Sequence, residues 1–343
     1  SRLFSRTTSG STGRPFTVRC SFFEERYLGA LRFRVLLKLG MRAGDRVAQI
    51  RYREGSPRDA KWALILDRLG LLRITHLSSS LDPADIAHRL QAVQPDVIRG
   101  YGNLTTLVAD AVQRYGLSIR PRLVTVGGDT LTAGMRQRIA EAFQTPVRET
   151  FGSHEFNVLA WECGATNQLH VCEEGVVLEV LRADRPAGLG ERGEVVATAL
   201  HSYAQPFIRF RLGDIATRGP ETCACGLPYS TIRSIDGRIY DRILLPDGRA
   251  ASPGDVLAPL ERDYDWLKQY QMVQQTRNLV ILRLVPHREP PAEDLQDIGE
   301  LMERFLGPDV QHRIDLLEEI PLGPGEKFRA SISRVFSNYG GDA

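Results

Sequence analysis

The stretch Thr7-Thr8-Ser9-Gly10-Ser11-Thr12-Gly13-Arg14-Pro15 gathers hydroxyls and glycines and ends on a cation. Glycines such as Gly10 and Gly13 let a backbone approach a ligand closely and take positive φ. Successive N–H groups, the hydroxyls of Thr8, Ser9, Ser11 and Thr12, and the charge of Arg14 then suit a phosphate. The Gly-Lys-Ser/Thr ending of the nucleotide-triphosphatase loop is absent, and a flexible Ser/Thr/Gly linker is the alternative reading. A second set, Cys163, His170, Cys223 and Cys225, offers three thiolates and one imidazole. These are the donors of a closed, tetrahedral, structural zinc site, which leaves no open position for catalysis. Cys172 rivals His170 as a ligand, and buried cysteines packing as small apolar side chains are the alternative. Cys20 has no partner in sequence and is read as packing.

Five further motifs follow the first in order: Gly127-Gly128-Asp129, Phe151-Gly152-Ser153-His154-Glu155, Arg209-Phe210-Arg211-Leu212-Gly213-Asp214, Gly237-Arg238-Ile239-Tyr240-Asp241 and Gly325-Glu326-Lys327. Together, and covering nearly the whole chain, the six resemble the signatures of adenylate-forming enzymes of the acyl/aryl-CoA synthetase type. The match is to the phenylacetate–CoA ligase branch, including its capsule-biosynthesis-like members, some of which carry similar Cys/His sets. The resemblance implies ATP-dependent activation of a small carboxylic acid, first of all an aryl acid, to acyl-AMP with release of pyrophosphate. Transfer to coenzyme A follows, with an amine or a carrier protein as alternative acceptors. ATP, Mg²⁺, coenzyme A and a structural Zn²⁺ are the implied cofactors.

Both reactants of such a step are anionic, so positioning and charge neutralisation carry most of the catalysis. Glu155 suits Mg²⁺, a hard ion that takes one or two carboxylates on a nucleotide. Asp214 suits a paired hydrogen bond to ribose hydroxyls, because a carboxylate accepts two. Gly127, Gly128 and Asp129 resemble the adenine-contacting turn. Gly152 and Ser153 belong to the motif that Phe151 opens, and the Phe151 ring stacks on the base or on the substrate ring. Arg211 and Arg238 pair with ribose or phosphate, or form ordinary salt bridges. Tyr101 and His154 are candidates for the acid pocket, against packing for the first and simple hydrogen bonding for the second. By resemblance, Lys327 bridges the substrate carboxylate and a phosphate oxygen, and Asp241 is the hinge.

The elements that must position these residues follow from periodicity. Strands are expected at Arg46–Tyr52, Leu71–Leu77, Asp96–Arg99, Leu123–Val126 and Val147–Phe151, alternating with helices at 58–69, Pro83–Val93 (with Asp82 as N-cap), Asn103–Tyr115 and Thr132–Phe143. That alternation predicts an α/β fold with a largely parallel sheet, whose ligand groups gather at the carboxyl ends of the strands. After Gly164, short strands at Val176–Leu181, Glu194–Leu200 and Ile208–Phe210 predict a β-rich subdomain over about 165–235. Beyond a Gly/Asp/Pro-rich boundary come helices at Val256–Arg262 and Glu293–Phe305 and strands at Gln269–Gln274, Leu279–Leu284 and Val310–Leu316. The expected organisation is an adenylating core over 1–241 and a small, mobile α+β lid over 242–343. Trp62, Trp161 and Trp266 are read as core or interface residues.

Composition sets the limits. The chain has 343 residues, 42% hydrophobic and 25% charged, as in an ordinary globular protein. A net charge of +2 gives no support to a nucleic-acid or membrane-surface partner. No apolar run is long enough to span a bilayer, and no secretory signal is seen. Five cysteines, an odd number, do not look like a disulfide framework, so a reducing, cytoplasmic setting is expected. The chain opens at Ser1 without Met, and the family carries sequence upstream of its phosphate loop, so such a segment is expected to be lacking. Two rival functions remain: a kinase, which needs a phosphate loop after a strand and a distinct acceptor base, and a non-catalytic relative that binds a nucleotide or a partner. Lys327→Ala is expected to slow acyl-AMP formation about a hundredfold or more with the fold intact; single-turnover kinetics and circular dichroism of the variant check this.

Overall fold

The computed structural model describes residues 3–7, 17–51, 73–129, 131–238, 242–251, 253–320 and 329–335. The helix expected at 58–69, the first two residues of the strand expected from Leu71, and Trp62 lie outside them. The chain divides into two compact units. One comprises the residues up to Leu131 with Met135–Ile235, and the other comprises Thr132–Gly134 with the residues from Asp236 on.

The first unit opens with an antiparallel pair, β1 (Phe4–Thr7) and β2 (Thr17–Cys20), followed by helix α1 (Phe22–Lys38). Ser21 and Glu24 start α1 with a capping box: the Ser21 hydroxyl accepts from the Glu24 N–H, and the Glu24 carboxylate accepts from the Ser21 N–H. Then come β3 (Arg46–Arg51), β4 (Arg73–Ser78), α2 (Pro83–Val93), β5 (Val97–Gly100), α3 (Gly102–Arg114), β6 (Leu123–Gly127), α4 (Ala133–Phe143) and β7 (Val147–Phe151). The five strands lie in the order β4-β3-β5-β6-β7, all parallel.

Side chains two apart on a strand share a face. One face of this sheet (Ala48, Ile50, Leu77, Ile98, Val124, Val126 and Val147) buries against Ile86 and Leu90 of α2, Val108 and Val112 of α3, and Ile139 and Phe143 of α4. On the other face, Val47, Val97 and Leu123 pack with Leu36 of α1 and with Met41.

The sheet does not stop at β7. β8 (Ala160–Glu162), β9 (Leu169–Val171), β10 (Val176–Arg182), β11 (Arg185–Pro186), β12 (Arg192–Ala199), β13 (Phe210–Arg218) and β14 (Thr231–Arg238) extend it to twelve strands, in the order β11-β10-β12-β13-β14-β9-β8 leading into β7. Trp161, Phe156, Phe207, Val195 and Ile232 build the core of this half, with Leu31 and Val35 of α1. The strand expected at Ile208–Phe210 begins instead at Phe210. Ile208 is exposed, and Arg209 takes φ +45°, which strand geometry excludes.

The second unit contains the pair β15 (Ile243–Leu244) and β16 (Ala250–Ala251), helix α5 (Gly254–Asp263), the hairpin β17 (Leu267–Thr276) and β18 (Leu279–Pro286), helix α6 (Ala292–Leu306), β19 (Gln311–Leu316) and β20 (Ser331–Ser333). Its main sheet runs β19-β18-β17-β20. Met272, Leu282, Leu284, Ile298 and Met302 share its core with Trp266, whose indole N–H donates to Asp294 at 2.6 Å. Among the described residues no helix is long and apolar enough to cross a membrane.

Candidate functional site

Three of the expected motifs lie side by side at the carboxyl ends of parallel strands: Tyr101 after β5, Gly127-Gly128-Asp129 at the end of β6, and Gly152 to Glu155 after β7. The registers Gly100 with Val126 and Gly127 with Thr150 make them neighbours. The glycines answer to close backbone approach. A Cβ on Gly127 would lie 2.3 Å from the Thr150 carbonyl oxygen, and one on Gly152 would lie 2.0 Å from that of Asn157. The Asp129 carboxylate, expected at the nucleotide, accepts from the Gly102 and Asn103 N–H groups at 2.6 and 3.0 Å. It thereby caps α3, whose own N-cap residue, Tyr101, makes no such bond.

The turn after β7 is tied by Ser153, whose carbonyl accepts from the Asn157 N–H at 2.8 Å and whose hydroxyl accepts from that of Phe156 at 3.4 Å. His154 is exposed at its tip and Glu155 is half-buried. The Phe151 ring expected against a base or substrate ring sits instead in the buried core with Phe156 and Trp161, because β7 turns that face inward.

Beneath this ridge lies a network that the sequence reading missed. Glu162, with 1% of its side chain exposed, accepts from Arg136 at 2.8 and 3.1 Å, from Arg148 at 3.2 Å and from the Glu149 N–H at 2.9 Å. Glu149 itself lies 3.6 Å from Arg136. Burial pushes its carboxyl up to about 7. Arg136 opposes the rise, and the charges of Glu162 and Asp129 add to it.

Farther along the sheet, β12 and β13 lose register between Val196–Arg211 and Glu194–Ile215, so Leu212, Gly213 and Asp214 stand opposite Val195 alone. This bulge, with Gly213 at φ +75°, sets the buried Asp214 apart from the regular ladder. The Arg211 guanidinium donates to both Asp184 and Glu194. This is the ordinary salt-bridge reading rather than the ribose or phosphate one. The phosphate-loop residues Thr8 to Arg14, the side chain of Arg238, Asp241 and Lys327 lie outside the described residues.

The Cys/His set converges. Cys163 follows β8, His170 lies on β9, and Cys223 and Cys225 sit in the β13–β14 connection, with all four ligand atoms within 4.8 Å of one another. Cys163 and Cys223 sulfurs are 3.8 Å apart, and Cys225 Sγ is 3.5 Å from His170 Nε2. A tetrahedron with Zn–S of about 2.3 Å and Zn–N of about 2.0–2.1 Å has edges of roughly 3.8 and 3.5 Å, so the donors fit that ion. Burial alone would raise the Cys163 thiol, but hydrogen bonds with Thr166, His170 and nearby backbone bring it to about 6, which favours the ligating thiolate. Cys172 faces elsewhere, toward Arg34 at 3.5 Å, so geometry selects His170. The His170 ring stacks on Trp161 at 5.3 Å.

A sheet with five parallel strands continued by antiparallel ones, and a smaller α+β unit at the carboxyl end, is the fold of the adenylate-forming acyl- and aryl-CoA ligases. 2-Hydroxyisobutyryl-CoA ligase in complex with R3-HIB-AMP matches with a TM-score of 0.78 over 98% of this chain and 75% of that one, at 19% identity. O-succinylbenzoate coenzyme A synthetase from Bacillus subtilis, in complex with ATP and magnesium ion, matches with a TM-score of 0.63 over 94% of this chain and 68% of that one, at 15% identity. Protein CapK of Staphylococcus aureus is 24% identical over 261 residues, which are 72% of this chain and 55% of CapK; the chain thus spans about half the length of that curated relative. No protein-family model matches the chain.

The raised Glu149 carboxyl makes stability pH-dependent. Its folded-state value, about 7, exceeds the reference of 4.5, so the native state binds this proton more tightly. Its contribution is full below pH 4.5 and is lost as pH rises through 7, on the order of 3 kcal/mol. Urea unfolding at pH 5 and 7.5 should show that loss, and Glu149→Gln should flatten it.

Proposed function

We propose that this chain activates a small carboxylic acid, preferentially an aryl acid, with MgATP. A carboxylate oxygen attacks the α-phosphorus, the bond to the bridging oxygen breaks, and pyrophosphate leaves with its electron pair, giving acyl-AMP. Transfer to coenzyme A follows, with an amine or carrier protein as the alternative acceptor. The observation that carries this reading is the adjacency of Gly127–Asp129 and Gly152–Glu155 on the carboxyl edge of the fold described above. The similar proteins act on, or are bound to, acids of this kind as acyl-AMP or with ATP and magnesium. In this scheme Thr8 to Arg14 cradle the phosphates, Asp214 holds the ribose, Glu155 would hold the magnesium ion, and Tyr101 and His154 border the acid. Lys327 approaches from the carboxyl-terminal unit, which acts as a lid pivoting at Asp241. Arg211 is paired with Glu194 and Asp184. The five free thiols suit a reducing, cytoplasmic setting.

We further propose a structural zinc at Cys163, His170, Cys223 and Cys225. Bound there it would clip the β13–β14 connection to β8 and β9. The purified chain should contain about one zinc by elemental analysis. Cys223→Ser with Cys225→Ser should lose the zinc and lower Tm, whereas metal-free protein of unchanged Tm would end the assignment.

Acid-dependent ATP–pyrophosphate exchange tests the activity. Exchange supports adenylation, a phosphorylated product without exchange supports a kinase, and silence from a folded, nucleotide-binding chain supports a non-catalytic relative.

A further inference from the structure

The sheet face that lies under α1 changes character along its length. At the amino ends of the strands it is apolar, with Val47, Val97 and Leu123 against Leu36. Two residues on, the same face carries Gln49, Arg99 and Thr125, in register across β3, β5 and β6. Two further on β3 it carries Arg51, the last residue of that strand. Arg32 precedes Leu36 by four residues on α1, and its charge acts on Arg99.

Among the described residues, no carboxylate pairs with Arg51 or Arg99. The Nε atoms of Arg51 and Arg99 and the Oγ1 of Thr125 are buried without a hydrogen-bond partner. Burial first, then the positive charges of Arg32 and Arg51, push the Arg99 guanidinium down to about 9. Elsewhere in the same unit, Arg34, Arg122, Arg136 and Arg148 each hold a carboxylate. Unpaired guanidinium groups gathered under a helix are destabilising until an anion joins them. The cluster lies beside the proposed acid pocket: Tyr101 follows Arg99 by two residues, and the Arg51 charge reaches its phenol. Arg51, on β3, lies three strands from β7, roughly 14 Å at about 4.8 Å per strand, whereas Thr125 lies on β6 two residues before Gly127.

We infer that the acid activated by this chain carries a second anionic group, a carboxylate or phosphate, bound by Arg99 and Arg51 with the Thr125 hydroxyl. The inference rests on the adenylation reading and narrows it to dianionic acids, with the first carboxylate left free to meet ATP. Thr125 and the arginines take no part in bond making; they set specificity.

Pyrophosphate exchange with matched acids tests it: benzoate against isophthalate, and butyrate against succinate. The diacid of each pair should be preferred in kcat/KM. Arg99→Leu should cut the diacid-to-monoacid ratio roughly ten- to hundredfold, the strength of a hydrogen bond to a charged group. The ratio is insensitive to partial loss of folded protein, and Arg51→Gln supplies the same readout if Arg99→Leu does not fold. A monoacid preference, or a ratio unmoved in both variants, overturns the inference and leaves adenylation standing. Calorimetric loss of MgATP affinity in the variants, with an unchanged acid ratio, also overturns it and assigns the arginines to a nucleotide phosphate. No exchange with any acid, in wild-type chain that binds MgATP, overturns the adenylation reading and the specificity assignment with it. A Tm rise on adding isophthalate that Arg99→Leu abolishes would then still record an anion site.

Discussion

Glu162 sits where the two halves of the large sheet meet, and the arrangement around it depends on its charge being satisfied. Its carboxylate is almost wholly out of water, yet two guanidinium groups and a backbone N–H converge on it. Those three donors come from two elements: Arg136 on α4, and Arg148 and Glu149 on β7. One buried acid therefore fixes the helix after β6, the last parallel strand and the first antiparallel one to each other. Removing either arginine leaves the buried carboxylate with a single guanidinium in a low-dielectric setting, which is more disruptive than losing an exposed pair. The turn carrying Glu155 begins three residues beyond Glu149, at Gly152, and Cys163 follows Glu162 directly, so both candidate centres inherit their placement from this contact.

Charge placement separates two kinds of arginine in the first unit. Arg136, Arg148 and Arg122 act as internal braces, each opposite a carboxylate. Arg34 is a hybrid: it pairs with Glu174 and lies 4.9 Å over the Trp161 ring, tying α1 to the half of the sheet that holds the Cys/His set. Among the described residues, Arg51 and Arg99 have neither kind of support. Glu24 shows how a buried charge is normally managed here. Burial acts to raise its carboxyl, and the N–H groups of Ser21, Ala204 and Tyr203 outweigh it and hold it below the ordinary value.

The α/β alternation from Pro83 to Phe151 was legible because α2, α3 and the strands between them keep clean periods and short connections. Helix α1 was not recognised, although Ser21 and Glu24 spell its start and Glu24, Leu28, Leu31 and Val35 recur at helical spacing. Arginines and glutamates between those positions hide the stripe, which is divided between two cores. Strands β8 and β9 have three residues each, too few for any period to register. The Cys/His set was legible from donor types, but His170 and Cys172, two apart in sequence, could be told apart only by the turn that sends Cys172 toward Arg34. The cationic group was invisible because Arg51 and Arg99 meet only through strand register. Trp161 and Trp266, read as core or interface residues, are both in the core.

The bulge at Leu212–Asp214 has a further implication for how this sheet tolerates change. The residues facing each other across β12 and β13 shift by two positions from one side of it to the other. Two is an even number, so Ile215, Ala216 and Thr217 point to the same sides as they would in an uninterrupted strand. A pair of residues can thus be spliced into or out of β13 during descent without turning its remainder inside out. A single-residue insertion at the same place would send Ala216, now fully buried, to the opposite surface.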